Sequence, residues 1–139
     1  MDLDVSGAPL RLYAFHAHPP MGAEALALWE RQLDALLLHL EADVAEGRAV
    51  VLTGDFNTTS MTHGYRGLIA VGLRAAHEDA LRPWASTWPK GTRFFAPVRL
   101  DHLFVHGASV RSVREGAGEG SDHRPIITDL LVELPATER

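Results

Sequence analysis

The sequence has no cysteine and a single lysine, Lys90, among its 139 residues. The lack of cysteine excludes a disulfide framework and a thiolate metal site, and it leaves the redox compartment open. The net charge is −5, so the chain also lacks the basic face with which a tight, sequence-independent DNA-binding protein neutralises phosphates. The remaining positive charges are arginines, which still allow a local phosphate-binding patch.

Long apolar runs are absent as well. No segment approaches the roughly 20 continuous apolar residues of a membrane helix, and the N-terminus, Met1 to Asp4, lacks the features of a signal peptide. We therefore expect no membrane segment in this chain and a cytoplasmic location, although a longer parent protein could carry a membrane anchor. The apolar content of 46% is typical of globular proteins. The length indicates a single domain that covers residues 1–139.

The pattern of apolar residues predicts a mixed α/β (α+β) fold. The most regular element is an amphipathic helix from Ala23 to Glu46, whose apolar residues recur at steps of three and four. A strand is predicted on each side of this helix, which gives a crossover unit, and residues 80–97 are expected to form an irregular loop. The other predicted elements are strands at Leu10–His16, Ala49–Thr53, Leu100–Val105, Ser109–Val113 and Ile126–Leu134, and a short helix at Met61–Ala70.

Polar residues follow the predicted strands, where open sheets often build their sites. Asp55 and Asn57 come directly after the apolar run 49–53, and in extended geometry their side chains would point the same way, with Phe56 in the core. A carboxylate beside an amide can orient an attacking water and donate to a phosphoryl oxygen. Both residue types also favour turns, so the pair alone does not define a site.

Three further groups carry potential chemistry. Ser121 to Pro125 contains adjacent Asp122, His123 and Arg124, and an imidazole beside a carboxylate suits metal binding or acid–base work. An acidic residue, Asp101, begins an otherwise apolar strand and could fix the tautomer of a histidine. His16 ends the first predicted strand, and His18 lies two residues later. Each signal taken alone is also compatible with an ordinary surface or turn residue.

The order of these motifs resembles the endonuclease/exonuclease/phosphatase superfamily. The matching segments are the strand that ends in His16, the sequence Gly-Asp-Phe-Asn at 54–57, the sequence Arg-Leu-Asp-His at 99–102 and the sequence Ser-Asp-His-Arg-Pro-Ile at 121–126. The resemblance runs from about residue 10 to residue 134. It implies a phosphodiester or phosphomonoester hydrolase in which a metal activates the attacking water, with Mg²⁺ or Mn²⁺ as the cofactor and with nucleic acid among the candidate substrates.

The resemblance also implies a role for each site residue. His123 would be the catalytic histidine and Asp101 its carboxylate partner, while Asp55 would aim the water and Asn57 would stabilise the pentacovalent phosphorus. The metal would be held by Asp55, Asn57 and Asp122. His16 would contact the phosphate as a catalytic residue, with His18 as its rival and as a substrate-binding residue beside Arg124.

The resemblance covers the C-terminal half of the family's domain, which is half of a four-layer α/β/β/α sandwich with one mixed sheet covered by helices on one face. An Asn and a metal-binding Glu of the N-terminal half have no counterpart here. We therefore expect an apolar sheet face that a homodimer could cover. The alternatives are a non-catalytic fragment or interaction domain of the same fold, and an unrelated α/β protein whose Asp55 and His123 lie far apart.

Overall fold

Two sheets and three helices make up the part of the chain described by the computed structural model, residues 1–91 and 96–132. In chain order the elements are β1 (Asp2–Val5), β2 (Ala8–His16), α1 (Ala23–Ala45), β3 (Ala49–Asp55), α2 (His63–Ala70), β4 (Arg74–Ala75), α3 (Ala76–Asp79), β5 (Asp101–His106), β6 (Ala108–Glu115) and β7 (Ile126–Val132). The first sheet has the strand order β1-β2-β3-β5-β4, and β6 and β7 form a separate antiparallel hairpin.

The five-stranded sheet is mixed because a helix connects its two central strands. β2 and β3 are parallel, and every other pairing in this sheet is antiparallel. Parallel neighbours need a crossover, which α1 supplies. Trp29, Leu33, Leu36 and Leu40 are buried along one side of α1 at steps of four and three, and this stripe packs on the sheet. The crossover brings the ends of β2 and β3 to the same edge of the sheet.

Both faces of the sheet are covered, by different elements. On β3, Val50 and Leu52 are buried in the cluster under α1 and α2, whereas Val51 belongs to a second cluster on the opposite face. Successive strand residues point to opposite faces, which separates the two clusters. Ala108 and Val113 of β6 are buried in the second cluster, and residues of β7 pack against it.

The fold class expected from the sequence, a mixed α/β sheet with helices, is confirmed. The helices are not confined to one face, because Ala76 of α3 is buried in the cluster opposite α1 and α2. The long helix and the predicted strands are present, with bounds that differ by at most two residues over the described chain. The sequence pattern missed β1, β4 and α3, which are short. The expectation of an open sheet face needs correction, because the chain's own hairpin packs on that face. The predicted end of the last strand, Leu134, lies outside the described residues.

Candidate active site

Three ionisable residues lie in one row across the edge of the five-stranded sheet. The backbone register pairs His16 at the end of β2 with Asp55 at the end of β3, and it pairs Asp55 with Asp101 at the start of β5. Directly opposed residues in a ladder have close side chains. His16 Nε2 lies 3.7 Å from Asp55 Oδ2, and the His16 side chain is largely exposed. The strand pairing itself therefore brings three residues of the site together.

Gly54 permits this close arrangement. Its φ of +144° is a conformation that side chains rarely adopt, and a Cβ at this position would lie 1.8 Å from the carbonyl oxygen of Phe15. The backbones of β2 and β3 thus approach each other directly before His16 and Asp55. Any side chain at residue 54 would separate the two strands at the point where the site begins.

A tight turn after β3 fixes Asp55 and Asn57. The backbone N–H of Asn57 donates to Asp55 Oδ1 at 2.8 Å, and Asn57 Nδ2 donates to the carbonyl oxygen of Ala17 at 2.9 Å. Asn57 has a φ of +49°, a left-handed conformation that asparagine tolerates better than most residues. The two side chains do share one side of the chain, but through this turn and not through the extended geometry expected from the sequence. Phe56 is fully buried between them, as expected.

His123 reaches the row from the loop between β6 and β7. Its Nδ1 is 2.7 Å from Asp101 Oδ2, and its Nε2 is 4.0 Å from Asp55 Oδ2. Burial lowers the pKa of His123, but the hydrogen bond and the charge of Asp101 outweigh that effect, so the pKa is raised overall. Asp101 thus holds the imidazole with Nε2 on the side of Asp55, and it favours the charged ring.

Asp55 lies at the centre of the cluster. Burial raises the pKa of its carboxyl, the backbone N–H of Asn57 opposes that rise, and the negative charge of Asp101 adds to it. One ligand atom from each of Asp55, Asp101 and His123 lies within 4.8 Å of the other two. A carboxyl with a raised pKa is a better general base than an exposed one, and two nearby carboxylates favour a cation or a positive imidazole between them.

The structure brings together five of the eight residues proposed from the sequence, namely His16, Asp55, Asn57, Asp101 and His123. His18 lies apart, beside the start of α1, where its backbone N–H donates to Gln32 Oε1. The carboxylate of Asp122 lies outside the three-residue cluster and accepts a hydrogen bond from Trp88 Nε1 at 3.1 Å. Arg124 lines a cavity of about 340 Å³ together with Asp101 and His123.

A second, larger groove adjoins the site on the helical side. It has a volume of about 490 Å³ and lies between α1 and α2, and Asn57 and Leu100 form part of its wall beside Asp55 and Asp101. Its apolar lining comes mainly from Leu26, Trp29, Leu33 and Leu37. Sequence reasoning did not anticipate this groove, because a stripe of apolar residues on a helix does not reveal where two helices leave space.

Sequence reasoning also missed three residues that hold the His123 loop. Thr87, Trp88 and Lys90 lie in the segment expected to be an irregular loop, and all three hydrogen-bond to residues 118–124. The sequence gives no periodic signal for such contacts, since they join segments about 30 residues apart.

The structure is thus a mixed α/β fold with an Asp–His pair and a second carboxylate at one edge of its sheet. A family model described as Endonuclease/Exonuclease/phosphatase family matches residues 2–123. The chain therefore belongs to the endonuclease/exonuclease/phosphatase family, as the resemblance of its motifs indicated.

Comparison with individual proteins agrees with this assignment. A UPF0294 protein of Vibrio parahaemolyticus is 29% identical over 83 residues, which are 60% of this chain and 28% of that protein. An endonuclease/exonuclease/phosphatase of Beutenbergia cavernae aligns with a TM-score of 0.75 at 19% identity, over 98% of this chain and 39% of that structure. A 3′ phosphatase of Neisseria bound to a product DNA hairpin aligns with a TM-score of 0.73 at 17% identity, over 92% and 63%.

A mannosyl-6-phosphatase of Bacteroides thetaiotaomicron gives a TM-score of 0.65 at 21% identity, over 91% of this chain and 52% of that structure. At these identities the structural likeness establishes the fold. The chain spans between 28% and 63% of the length of these four relatives. No helix in the described ranges has both the length and the apolar character that a membrane crossing requires.

Proposed function

We propose that this chain carries the catalytic side chains of a metal-dependent phosphoester hydrolase that uses water as the nucleophile. The observation that supports the proposal most is the convergence of His123, Asp101, Asp55 and His16 at one sheet edge, with Nε2 of both histidines within 4.0 Å of Asp55 Oδ2. A phosphoryl group beside the two imidazoles would meet positive charge from both, while Asp55 faces the attacking water.

The geometry suggests a division of roles. Asp55 aims the water and accepts its proton, which the raised pKa of its carboxyl favours. His123, oriented by Asp101, holds the charge that develops on the phosphoryl oxygens, and His16 contacts the same group from the opposite side. Asn57 Nδ2 already donates to Ala17 and, at a long 3.4 Å, to Asp55 Oδ2. The bond to Asp55 Oδ2 is the weaker of the two, so Asn57 Nδ2 would give up this bond to donate to a phosphoryl oxygen in the transition state.

The residues present fit a weakly held Mg²⁺ or Mn²⁺ ion. Mg²⁺ prefers oxygen ligands and keeps several waters, and Asp55, Asp101 and the amide oxygen of Asn57 would provide such ligands. Asp101 Oδ2 already accepts the hydrogen bond of His123, so its other oxygen would have to serve. The ion, when bound, would supply charge neutralisation and activate water. Asp122 would need to leave Trp88 to contribute, and its role as a ligand stays a prediction.

The test is hydrolysis of bis(4-nitrophenyl) phosphate and 4-nitrophenyl phosphate by the purified chain with Mg²⁺ or Mn²⁺. Turnover that requires metal and is lost in both Asp55→Asn and His123→Gln would support the proposal. His39→Gln is the matched control, because His39 is exposed on α1 away from the site. If the folded chain shows no turnover, the alternative of a non-catalytic fragment or interaction domain is preferred. A lack of turnover would agree with the finding that this chain covers only part of each relative's length.

For the substrate, we propose a small phosphoester with an apolar, uncharged alcohol. The groove beside Asn57 offers an apolar wall, and its ionisable lining residues are Glu30, Asp34 and His63, with no lysine or arginine among them. A polyanionic chain along this groove would meet acidic groups. The Neisseria relative has a DNA hairpin as its product, so nucleic acid is the second candidate, and binding past Arg124 would be its route.

A series of 4-nitrophenyl phosphodiesters tests this preference, because the leaving group stays constant while the second alcohol changes from methyl to hexyl or phenyl. The groove predicts a lower KM for the larger alcohols. Gly67→Leu should remove that difference by filling the groove, since a Cβ at Gly67 would already lie 3.4 Å from a Leu37 methyl. Ala35→Leu, on the exposed side of α1, is the control. Equal KM values across the series, or stronger inhibition by duplex DNA than by hexyl phosphate, would contradict the proposal.

The partner and the location expected from the sequence also stay proposals. A homodimer would have to form on the hairpin, where Ile127 and Leu131 are 40% and 44% exposed, because β6 and β7 already cover part of the sheet face. Sedimentation at micromolar concentration tests this, and a clean monomer would argue against it. Cell fractionation of the full protein would test the cytoplasmic location.

A further inference from the structure

We propose that Thr87 is a positioning residue for the Asp101–His123 pair, and that residues 87–90 form a strap that holds the His123 loop against β5. The proposal rests on the proposed function for its consequence in catalysis. Its structural part concerns the resting protein and can be tested without turnover. The Thr87 side chain contacts neither the reacting atoms nor the oxygen atoms proposed to bind the metal, and it reaches Asp101 only through the backbone N–H of that residue.

Thr87 connects both partners of the pair through three hydrogen bonds. Its hydroxyl oxygen accepts from the backbone N–H of Leu100 and of Asp101, each at 3.1 Å. Its backbone carbonyl accepts from the N–H of Arg124 at 2.9 Å. Arg124 directly follows His123, so one residue fixes the backbone at Asp101 and at the end of the His123 loop.

The Thr87 hydroxyl is needed as an acceptor because the N–H groups of Leu100 and Asp101 are shielded from water. Thr87 is 1% exposed and the two N–H groups that it accepts from are partly buried, and N–H groups shielded from water without a partner are disfavoured. Without the hydroxyl, Leu100 and Asp101 would have to turn their N–H groups towards other acceptors. Such a turn would move the start of β5 and, with it, the carboxylate that orients His123.

The other residues of the strap fasten the loop at two more points. Trp88 Nε1 donates to Asp122 Oδ2 at 3.1 Å, and the backbone N–H of Lys90 donates to the carbonyl oxygen of Asp122 at 2.7 Å. Lys90 Nζ donates to the carbonyl oxygen of Gly118. The strap is itself tied to Val98 by backbone bonds from Thr87 and Trp88. Residues 87–90 therefore hold both the loop that carries His123 and the backbone at Asp101.

The test compares Thr87→Val, which keeps the shape and removes the acceptor, with Thr87→Ser, which keeps the hydroxyl. Thr128→Val is the matched control, because the hydroxyl of Thr128 is buried and has no hydrogen-bond partner within the described residues. The first readout is the His123 Nδ1–H signal in ¹H–¹⁵N NMR spectra, which the bond to Asp101 should protect from exchange. Asp101→Asn assigns that signal.

We expect the protected signal in the wild type, in Thr87→Ser and in Thr128→Val, and its loss in Thr87→Val. The second readout is steady-state kinetics, where Thr87→Val should lower kcat by about 10- to 100-fold, as expected for small displacements of catalytic groups. KM should change little, and Thr87→Ser should restore kcat. A folded Thr87→Val with the wild-type signal and the wild-type kcat would overturn the proposal.

If Thr87→Val does not fold, Trp88→Phe provides the second test of the strap. This variant keeps an aromatic ring and removes the donor to Asp122, and it should speed exchange of the His123 signal. Unchanged exchange would then count against the strap. Because the NMR signal is read in the resting protein, a wild type without turnover would contradict the proposed function and leave the positioning role to be decided by the spectra.

Discussion

Asp101→Asn should separate the orientation of His123 from its charge. The substitution keeps the size of the side chain and removes the negative charge that lies 2.7 Å from His123 Nδ1. Asp101 and His123 side chains are 18% and 26% exposed, so solvent screens their interaction only in part. The variant should lower the pKa of His123, because the bond to Asp101 is the largest influence that raises it.

The expected size of the effect follows from the hydrogen bond between the charged side chains of Asp101 and His123. A hydrogen bond between charged groups contributes about 1.5–3 kcal/mol, and one pKa unit corresponds to about 1.4 kcal/mol. The pKa of His123 should therefore fall in the variant, because the hydrogen bond and the charge that raise it are both weakened. If the charged imidazole stabilises the transition state, kcat/KM should fall by roughly 10- to 100-fold near neutral pH.

The assay is an NMR titration of the His123 ring in the wild type and in Asp101→Asn, followed by kinetics on the same samples. Asp129→Asn is the control, because Asp129 accepts a hydrogen bond from Ser112 in the distant hairpin. An unchanged His123 pKa would refute the pairing. A lowered pKa with unchanged kcat/KM would retain the pairing and refute the role of the charged ring.

Three further predictions concern the sheet edge and the core. Gly54→Ala should lower the midpoint of thermal unfolding, because its Cβ would clash with the backbone of Phe15. Gly47→Ala should lower it less, since Gly47 also has a positive φ but has open space around it, and it is therefore the control for backbone strain alone. His16→Ala should lower kcat/KM, whereas His18→Ala should not, because His16 faces Asp55 and His18 lies apart beside the start of α1. Burial lowers the pKa of His102 to about 3. The unfolded chain therefore binds a proton that the folded chain does not, and this group should reduce the free energy of unfolding by about 1.4 kcal/mol per pH unit as the pH falls below about 6.5. Urea unfolding of wild type and His102→Gln between neutral and mildly acidic pH measures this difference.

Much of the site could be predicted from local sequence. Asp55 follows one short apolar run and Asp101 begins another, both runs are consistent with buried strands, and polar residues at strand ends gather at a sheet edge. His16 follows from the same reasoning, because the crossover through α1 makes β2 and β3 parallel neighbours. The order of the motifs then indicated the family, which the match to residues 2–123 confirmed.

The remaining features depend on contacts between distant segments. Nothing in the local pattern of Thr87 or Trp88 distinguishes a residue that fastens a loop from one that fills a turn. The position of Asp122 was not predictable either, since its carboxylate is directed by an indole 34 residues earlier. The hairpin packs on the second face of the five-stranded sheet, where Val113 is buried. The alternating pattern of β6 predicts a strand, but it does not reveal which face of the other sheet that strand covers.

The site therefore combines two kinds of support. His16, Asp55 and Asp101 are held by the ladder, in which each residue is fixed by the pairing of a whole strand. His123 lies on a loop, and loops are positioned only by the contacts that they make. Those contacts lead to residues 87–90 and, through Thr87, back to the start of β5. The precision of the Asp101–His123 pair should consequently depend more on this strap than on the stability of the sheet, so changes in the strap should affect the pair before they affect the fold.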